Sequence, residues 1–369
     1  MAELVEDFFL RLPPDLVEEV FFRLPPDELA CLFRSLAVCK PWRRILADAG
    51  FRRRYREFHR IASVQGVLDQ HGHFVPTSTL LPAQPHHPGW TPMYCRHGRA
   101  LFATFNWTTG IFDLVVLDPV TGHQRRVPSP CDYLRFSAAV LCAAQGCDHH
   151  GCQGGHFLVA FLSTDMFGES TSGWLYSSET GAWSEHASLV HPNVSFAREY
   201  GVTSVLVDDA LYFNGECIRK YHLGTLHLSM LEKPNQNDGN GILMRMEDGG
   251  LGFTAVVDVT NLTLWSRDTG LEGWAKLRVI DLKTLLPDGA LSIPTLQYGI
   301  RTLSAWVSGF AEGTQVIFVS TTVGSYMVDL KAGLVTRVSD PGRKFFPYTG
   351  FHIPAMNAVP IGQGQLAGV

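Results

Sequence analysis

The side chains best suited to chemistry crowd into one stretch. Cys142, Cys147, His149, His150, Cys152 and His156 are thiols and imidazoles at close spacing, the donor types that hold zinc in a tetrahedron. Yet the stretch has no Cys-x-x-Cys pair, and no second paired half stands elsewhere in the chain. Cys142 also closes an apolar run that reads as a strand buried in the core. The favoured reading is a polar loop at a sheet edge, with no metal and no cofactor expected.

Other reactive arrangements are missing. The chain has no Gly-x-Ser-x-Gly elbow, no phosphate-binding loop ending in Gly-Lys-Ser/Thr, and no His-Glu-x-x-His. The acids of Glu247-Asp248-Gly249-Gly250 and Asp208-Asp209 read as turns between strands. Trp90, Trp107, Trp174, Trp183, Trp265, Trp274 and Trp306 fall among β-type segments. Most are expected to wedge between neighbouring sheets, and some to line a binding face. No catalytic residue is expected, and a non-enzyme is the leading class. A hydrolase or a glycan-binding scaffold is the alternative.

The bulk properties agree with a binding protein. The chain has 369 residues, 46% of them hydrophobic, and a formal net charge of −5. That length and composition allow two or three domains with a sizeable core. The small negative charge argues against bulk nucleic-acid binding. An acidic start, Met1–Asp7, does not look like a secretory signal. The longest apolar run, Ala138–Ala144, is far shorter than a membrane span. A soluble cytoplasmic or nuclear setting is expected, where disulfides among the eight cysteines would be rare. The sequons at Asn106, Asn193 and Asn261 then read as chance matches.

What must position any site is a two-part chain: helical over residues 1–60, β-rich over 61–358, with a disordered tail over 359–369. In the first part Leu16, Val17, Val20, Phe21 and Leu24 recur at helical spacing. Pro13 and Pro14 suit a helix start, and Pro25 ends that helix. A second helix is expected from about Asp27, with Leu29, Leu32, Phe33 and Leu36 on one face. Pro41 opens a third, carrying Trp42, Ile45 and Leu46. Asp48 is the expected N-cap of a fourth, with Phe51, Tyr55 and Phe58 as its buried stripe. Arg52, Arg53, Arg54, Arg56 and Arg60 then form a solvated face, a reading preferred over a nuclear-localisation or nucleic-acid patch.

The β part repeats a strand, a glycine turn and a strand. The turns fall at Gly122, Gly181, Gly224-Thr225, Asp268-Thr269-Gly270 and Lys331-Ala332-Gly333. Glycine supplies the positive φ such turns need. Each unit is preceded by another β pair, giving four strands at the period of a propeller blade. Five units leave Val64–Pro76 and Phe345–Ile353 unassigned, and joining them makes a sixth, closing blade. Six blades are expected, with seven the main alternative.

Ordered along the helical part, Leu12-Pro13, Asp15-Leu16-Val17, Glu19-Val20, Arg23-Leu24-Pro25, Leu29 and Val38-Cys39-Lys40-Pro41-Trp42-Arg43 resemble an F-box motif. The β part resembles the β-propeller-like associated domains of plant F-box proteins, including Phe74-Val75-Pro76 and Asp118-Pro119-Val120-Thr121-Gly122. The resemblance implies a substrate-recognition subunit of an SCF-type ubiquitin ligase. Such a subunit docks a Skp-type adaptor, and through it a cullin, and holds a target protein on the propeller. By position, the implied adaptor face comprises Leu12, Pro13, Leu16, Val17, Val20, Leu24, Pro25, Leu29, Val38, Cys39 and Trp42. The implied fold class is α plus all-β: a small helical F-box followed by a six-bladed propeller whose closing blade is shared by N- and C-terminal strands.

Overall fold

The computed structural model describes residues 12–25, 29–59, 63–77, 87–119, 122–132, 135–144, 147, 149, 152, 155–165, 167–191, 202–234, 241–258, 260–267, 273–291, 305–340 and 344–350. The helices and the strands fall into two compact units. The expected tail, 359–369, lies outside the described residues.

Among the described residues the helical unit holds four helices, Pro14–Phe22, Leu29–Val38, Lys40–Ala47 and Ala49–His59. Prolines stand in the first turns of the first and third, where a missing N–H costs nothing. The fourth is capped as its sequence implies: Asp48 Oδ1 accepts the Phe51 N–H at 2.7 Å. Val17, Phe21, Leu32, Leu46, Phe51 and Tyr55 form the interior. Two long side chains hold carbonyls at helix ends. The Tyr55 hydroxyl donates to Leu24 O at 2.5 Å, and Arg52 Nε donates to Leu46 O at 2.9 Å. Phe58 departs from the expected stripe. It lies in the last helical turn and stays exposed, its ring 6.0 Å from that of Phe22 instead of inside the core. Of the arginines behind that stripe, Arg54 pairs with Glu18 and Arg53 with Glu57, while Arg60 lies outside the described residues.

The second unit is six antiparallel sheets. It opens with β1 (Ser63–Asp69) and β2 (Phe74–Pro76). The first full blade is β3 (Trp90–Arg96), β4 (Arg99–Asn106), β5 (Ile111–Leu117) and β6 (Gln124–Val127). The next is β7 (Phe136–Cys142), β8 (Phe157–Thr164) and β9 (Ser170–Ser177), with a broken outer strand. That outer strand is β10 (Ala182–Trp183) and β11 (Ala187–Val190), which pair with β9 in succession. Then come β12 (Ser204–Val207), β13 (Ala210–Asn214), β14 (Ile218–His222) and β15 (Leu228–Leu231). The fourth full blade is β16 (Ile242–Arg245), β17 (Leu251–Val257), β18 (Asn261–Arg267) and β19 (Trp274–Asp281). The last is β20 (Ala305–Ala311), β21 (Val316–Thr321), β22 (Ser325–Asp329) and β23 (Val335–Ser339). Finally β24 (Phe345–Gly350) returns to β1, giving a closing sheet in the order β2-β1-β24.

Six apolar seams follow the sheets around the ring. Phe136 and Phe161 stack at 4.8 Å where the first two full blades meet. Leu141 packs with Leu211 and Tyr221 at the next seam, and Val205 with Phe253 and Trp265 at the one after. Leu264 packs with Val307 and Val328. Val67 then joins Phe318 and Phe345, and Leu68 joins Phe102 and Tyr348, so the three-stranded sheet is packed on both sides. Every blade thus buries both faces, and the ring is a six-bladed propeller. Trp265 is buried and Trp90, Trp174, Trp183 and Trp274 are partly buried at these seams, as expected of wedging residues. Trp107, at 89% exposure, is not.

The hairpin glycines behave as expected at Gly122, Gly181 and Gly333, with φ of 72°, 71° and 67°. Gly224 does not take a positive φ. That turn is longer, closed by His222 N–H to His227 O at 2.9 Å, and Leu226 takes the left-handed position with φ 55°. The Asp268-Thr269-Gly270 turn lies outside the described residues. Asp208-Asp209 and Glu247-Asp248-Gly249-Gly250 are turns, as read.

Candidate functional site

In the helical unit, apolar side chains that fill its interior alternate with others that do not. Val17 is 3% exposed and Phe21 lies beside it in the interior, with its ring edge-on to Trp42 at 5.2 Å. Leu16, Val20 and Val38 stand at 52%, 42% and 48% exposure, and Pro13 is exposed beside them. An apolar cavity of about 170 Å³ opens among Leu12, Val20, Leu24, Cys31, Ser35 and Trp42. Of the residues expected to meet an adaptor, Leu12, Leu24, Pro25, Cys39 and Trp42 are half-buried. Val17 faces inward, where it supports the others. The Leu29 side chain lies outside the described residues.

In the propeller, the first strand of each full blade ends on one face of the ring, so the loops leading to the second strands gather there. The axis at this face is closed by an ion pair. Arg96, at the end of β3, donates from Nε to Glu312 Oε2 at 2.5 Å and from Nη2 to Ser204 O at 2.9 Å. The Leu206 N–H donates to Glu312 Oε1 at 3.2 Å. Residues of three alternate blades can meet in this way only at the centre of the ring. Burial alone would lower the Arg96 pKa, but the Glu312 carboxylate and the Tyr94 hydroxyl together outweigh it and the pKa is raised. The same burial, with Glu312 nearby, pushes the Tyr94 hydroxyl up.

The Cys/His stretch lies on this same face, in the connection from β7 to β8. The structure brings Cys142, Cys147, His149 and Cys152 together, with one donor atom from each lying within 4.8 Å of the others. Cys147 and Cys152 sulfurs are 3.3 Å apart, and Cys152 Sγ lies 3.5 Å from His149 Nδ1. His156 is outside the cluster, and His150 lies outside the described residues. A neighbouring hairpin buttresses the group. The ring of His97 stacks on that of His149 at 4.0 Å and 11°, and the Cys142 N–H donates to His97 Nδ1 at 3.1 Å. Burial, aided by the Arg96 charge, pushes the His97 pKa down to about 2, so its ring is neutral. Gly98 has φ of +70°, and a Cβ there would stand 2.2 Å from Cys152 O. Nothing in the sequence spacing announces His97 and Gly98 as neighbours of this loop, because they belong to another blade.

Among the described residues no helix is long and apolar enough to cross a membrane. No curated protein sequence matches the chain. Solved structures similar to it include an acylaminoacyl peptidase, at 10% identity and a TM-score of 0.35 over 69% of this chain and 39% of that one. A prolyl endopeptidase matches at 12% and 0.35, over 68% and 36%. The β-propeller domain of the Trilobed protease from Pyrococcus furiosus matches at 10% and 0.36, over 70% and 84%. The chain therefore spans under two-fifths of the length of the first two, and similarity this low says nothing of its chemistry. The F-box domain family matches residues 9–54, the stretch that contains the exposed apolar face and the cavity beside it. The chain thus carries a short helical F-box domain, followed in sequence by a six-bladed β-propeller.

Proposed function

We propose that the chain is the substrate-recognition subunit of an SCF-type ubiquitin ligase in the cytoplasm or nucleus. Its F-box docks a Skp-type adaptor, and through it a cullin, while the propeller holds a target protein. The observation that carries this reading is the match of residues 9–54 to the F-box domain, on a unit that leaves Leu16, Val20 and Val38 exposed. A module this small buries little core of its own, and a partner's helices would cover what remains. Leu12, Pro13, Leu24, Pro25, Leu29, Cys39 and Trp42 complete the proposed contact, with Val17 as its support. The chain itself performs no covalent step. It raises the effective concentration of target lysines near the transfer machinery, as linked binding sites do.

The full chain should co-purify with a recombinant Skp-type adaptor. Leu16→Asp with Val20→Asp should weaken that binding by about 100-fold or more, as expected for central apolar contacts. Both residues are exposed, so folding stability should change by only about 0.5 kcal/mol per site. An intact, folded chain that binds no Skp-type adaptor would remove the basis for this function.

A further inference from the structure

We infer that Cys142, Cys147, His149 and Cys152 form a structural zinc site that fastens the β7–β8 connection of the propeller. This site is independent of the F-box reading. The first support is geometric. Zinc bonds of about 2.3 Å to sulfur and about 2.0–2.1 Å to nitrogen set tetrahedron edges of roughly 3.6–3.8 Å. The donors of Cys147 and Cys152 stand 3.3 Å apart and those of Cys152 and His149 3.5 Å apart, with no pair beyond 4.8 Å. Even a regular tetrahedron at that outer limit needs each sulfur to move inward by only about 0.6 Å and the imidazole nitrogen by about 0.9 Å.

The second support is chemical. Three thiols and one imidazole gathered within 4.8 Å of one another favour zinc over the hard cations, which take oxygen. Four protein donors leave no open position, which is the mark of a structural site. The third support is the surrounding shell. His97 fixes the plane of the His149 ring by stacking, and its Nδ1 receives the Cys142 N–H. The absent side chain of Gly98 lets Cys152 O approach the turn. Outer partners of this kind orient metal ligands. At the foot of the loop, Ala143 N–H donates to His156 O at 3.2 Å, and Arg99 Nη2 donates to Gly155 O at 3.2 Å. The frame is therefore held by the protein, while the metal joins the strand end to the loop.

A disulfide between Cys147 and Cys152 is the competing outcome for two of these residues. Their sulfurs stand at 3.3 Å, against about 2.05 Å for a bond. Zinc binding would require the three thiols as thiolates, with the displaced protons passing to solvent.

The test uses the full chain, produced with zinc in the medium and purified without chelator. Metal analysis should find about one zinc per chain. Cys147→Ser and His149→Ala should each lower this below about 0.2, whereas Cys217→Ser, outside the cluster, should not. Because a variant can lose metal by misfolding, cobalt(II) is also titrated into reduced, metal-stripped wild-type protein. The expected signature is a thiolate-to-cobalt charge-transfer band with the strong visible absorption of a tetrahedral ion, abolished by added zinc. Three results each overturn the inference: less than about 0.2 zinc in wild type with no cobalt band, unchanged zinc in both cluster variants, or a Cys147–Cys152 disulfide in freshly purified protein.

Discussion

Replacing Glu312 by alanine tests whether the propeller is bolted through its centre. Glu312 neutralises the almost fully buried guanidinium of Arg96 at 2.5 Å and also accepts the Leu206 N–H. The variant leaves an uncompensated buried cation, which costs about 3–5 kcal/mol, and an unsatisfied backbone donor, which costs about 1–3 kcal/mol more if no water replaces the carboxylate. A loss of roughly 4–6 kcal/mol is expected, allowing for partial relaxation. Urea unfolding followed by tryptophan fluorescence reports on the ring, since Trp42 is the only one of eight tryptophans in the helical unit. The double variant Arg96→Met, Glu312→Leu should recover most of the loss, because a well-packed apolar pair removes the stranded charge. A single Glu312→Ala change costing under about 1 kcal/mol, or a double variant no better than the single, would refute the argument.

Two further outcomes follow from burial and charge. Asp69 sits in the closing blade with its side chain almost wholly covered. Burial would raise its pKa, but the N–H groups of His73 and His71 and the His73 ring outweigh this and hold it below the usual range. A depressed carboxylate contributes stability above the unfolded pKa and loses it as pH falls through the folded value. Unfolding midpoints of wild type and Asp69→Asn should therefore differ at pH 6 and converge as pH drops below about 4; a constant gap contradicts the assignment. Trp265→Ala should cost about 3–5 kcal/mol at its seam, while Trp107→Ala, exposed at the tip of the β4–β5 turn, should change stability by less than about 0.5 kcal/mol. Equal effects at the two positions would contradict the seam packing.

Much of the architecture was legible because it repeats. A helical period over Leu16–Leu24 and a returning strand-turn-strand pattern are local signals, and the two unpaired terminal segments made closure the economical solution. The misreadings also have local causes. Gly224 looks like its counterparts, but a longer turn moves the left-handed residue to Leu226. Phe58 keeps the helical spacing, yet it sits a turn beyond the covered part of its helix. The central pair joins residues 216 apart in sequence, and no periodicity connects such positions. The Cys/His stretch is visible as a composition, but without a Cys-x-x-Cys pair its spacing alone reads as a polar loop. Its convergence depends on a strand end and on a hairpin from another blade. For the F-box, the order of motif elements located the domain, whereas the division into inward Val17 and outward Leu16 required packing.

The closing sheet has a consequence for how the protein is made. Gln65 in β1 donates to Gly350 O in β24 across 285 residues. At about 5–20 residues per second on the ribosome, the last strand emerges roughly 15–60 s after its neighbour. For that interval β1 has one bare edge, and the first and last full blades lack the wedge between them. A bare strand edge pairs readily with other chains. Newly made protein therefore passes through an open ring lasting tens of seconds, long compared with hairpin formation in microseconds. The four N-terminal helices are synthesised before that interval begins, so under the proposed function adaptor docking can precede closure of the ring.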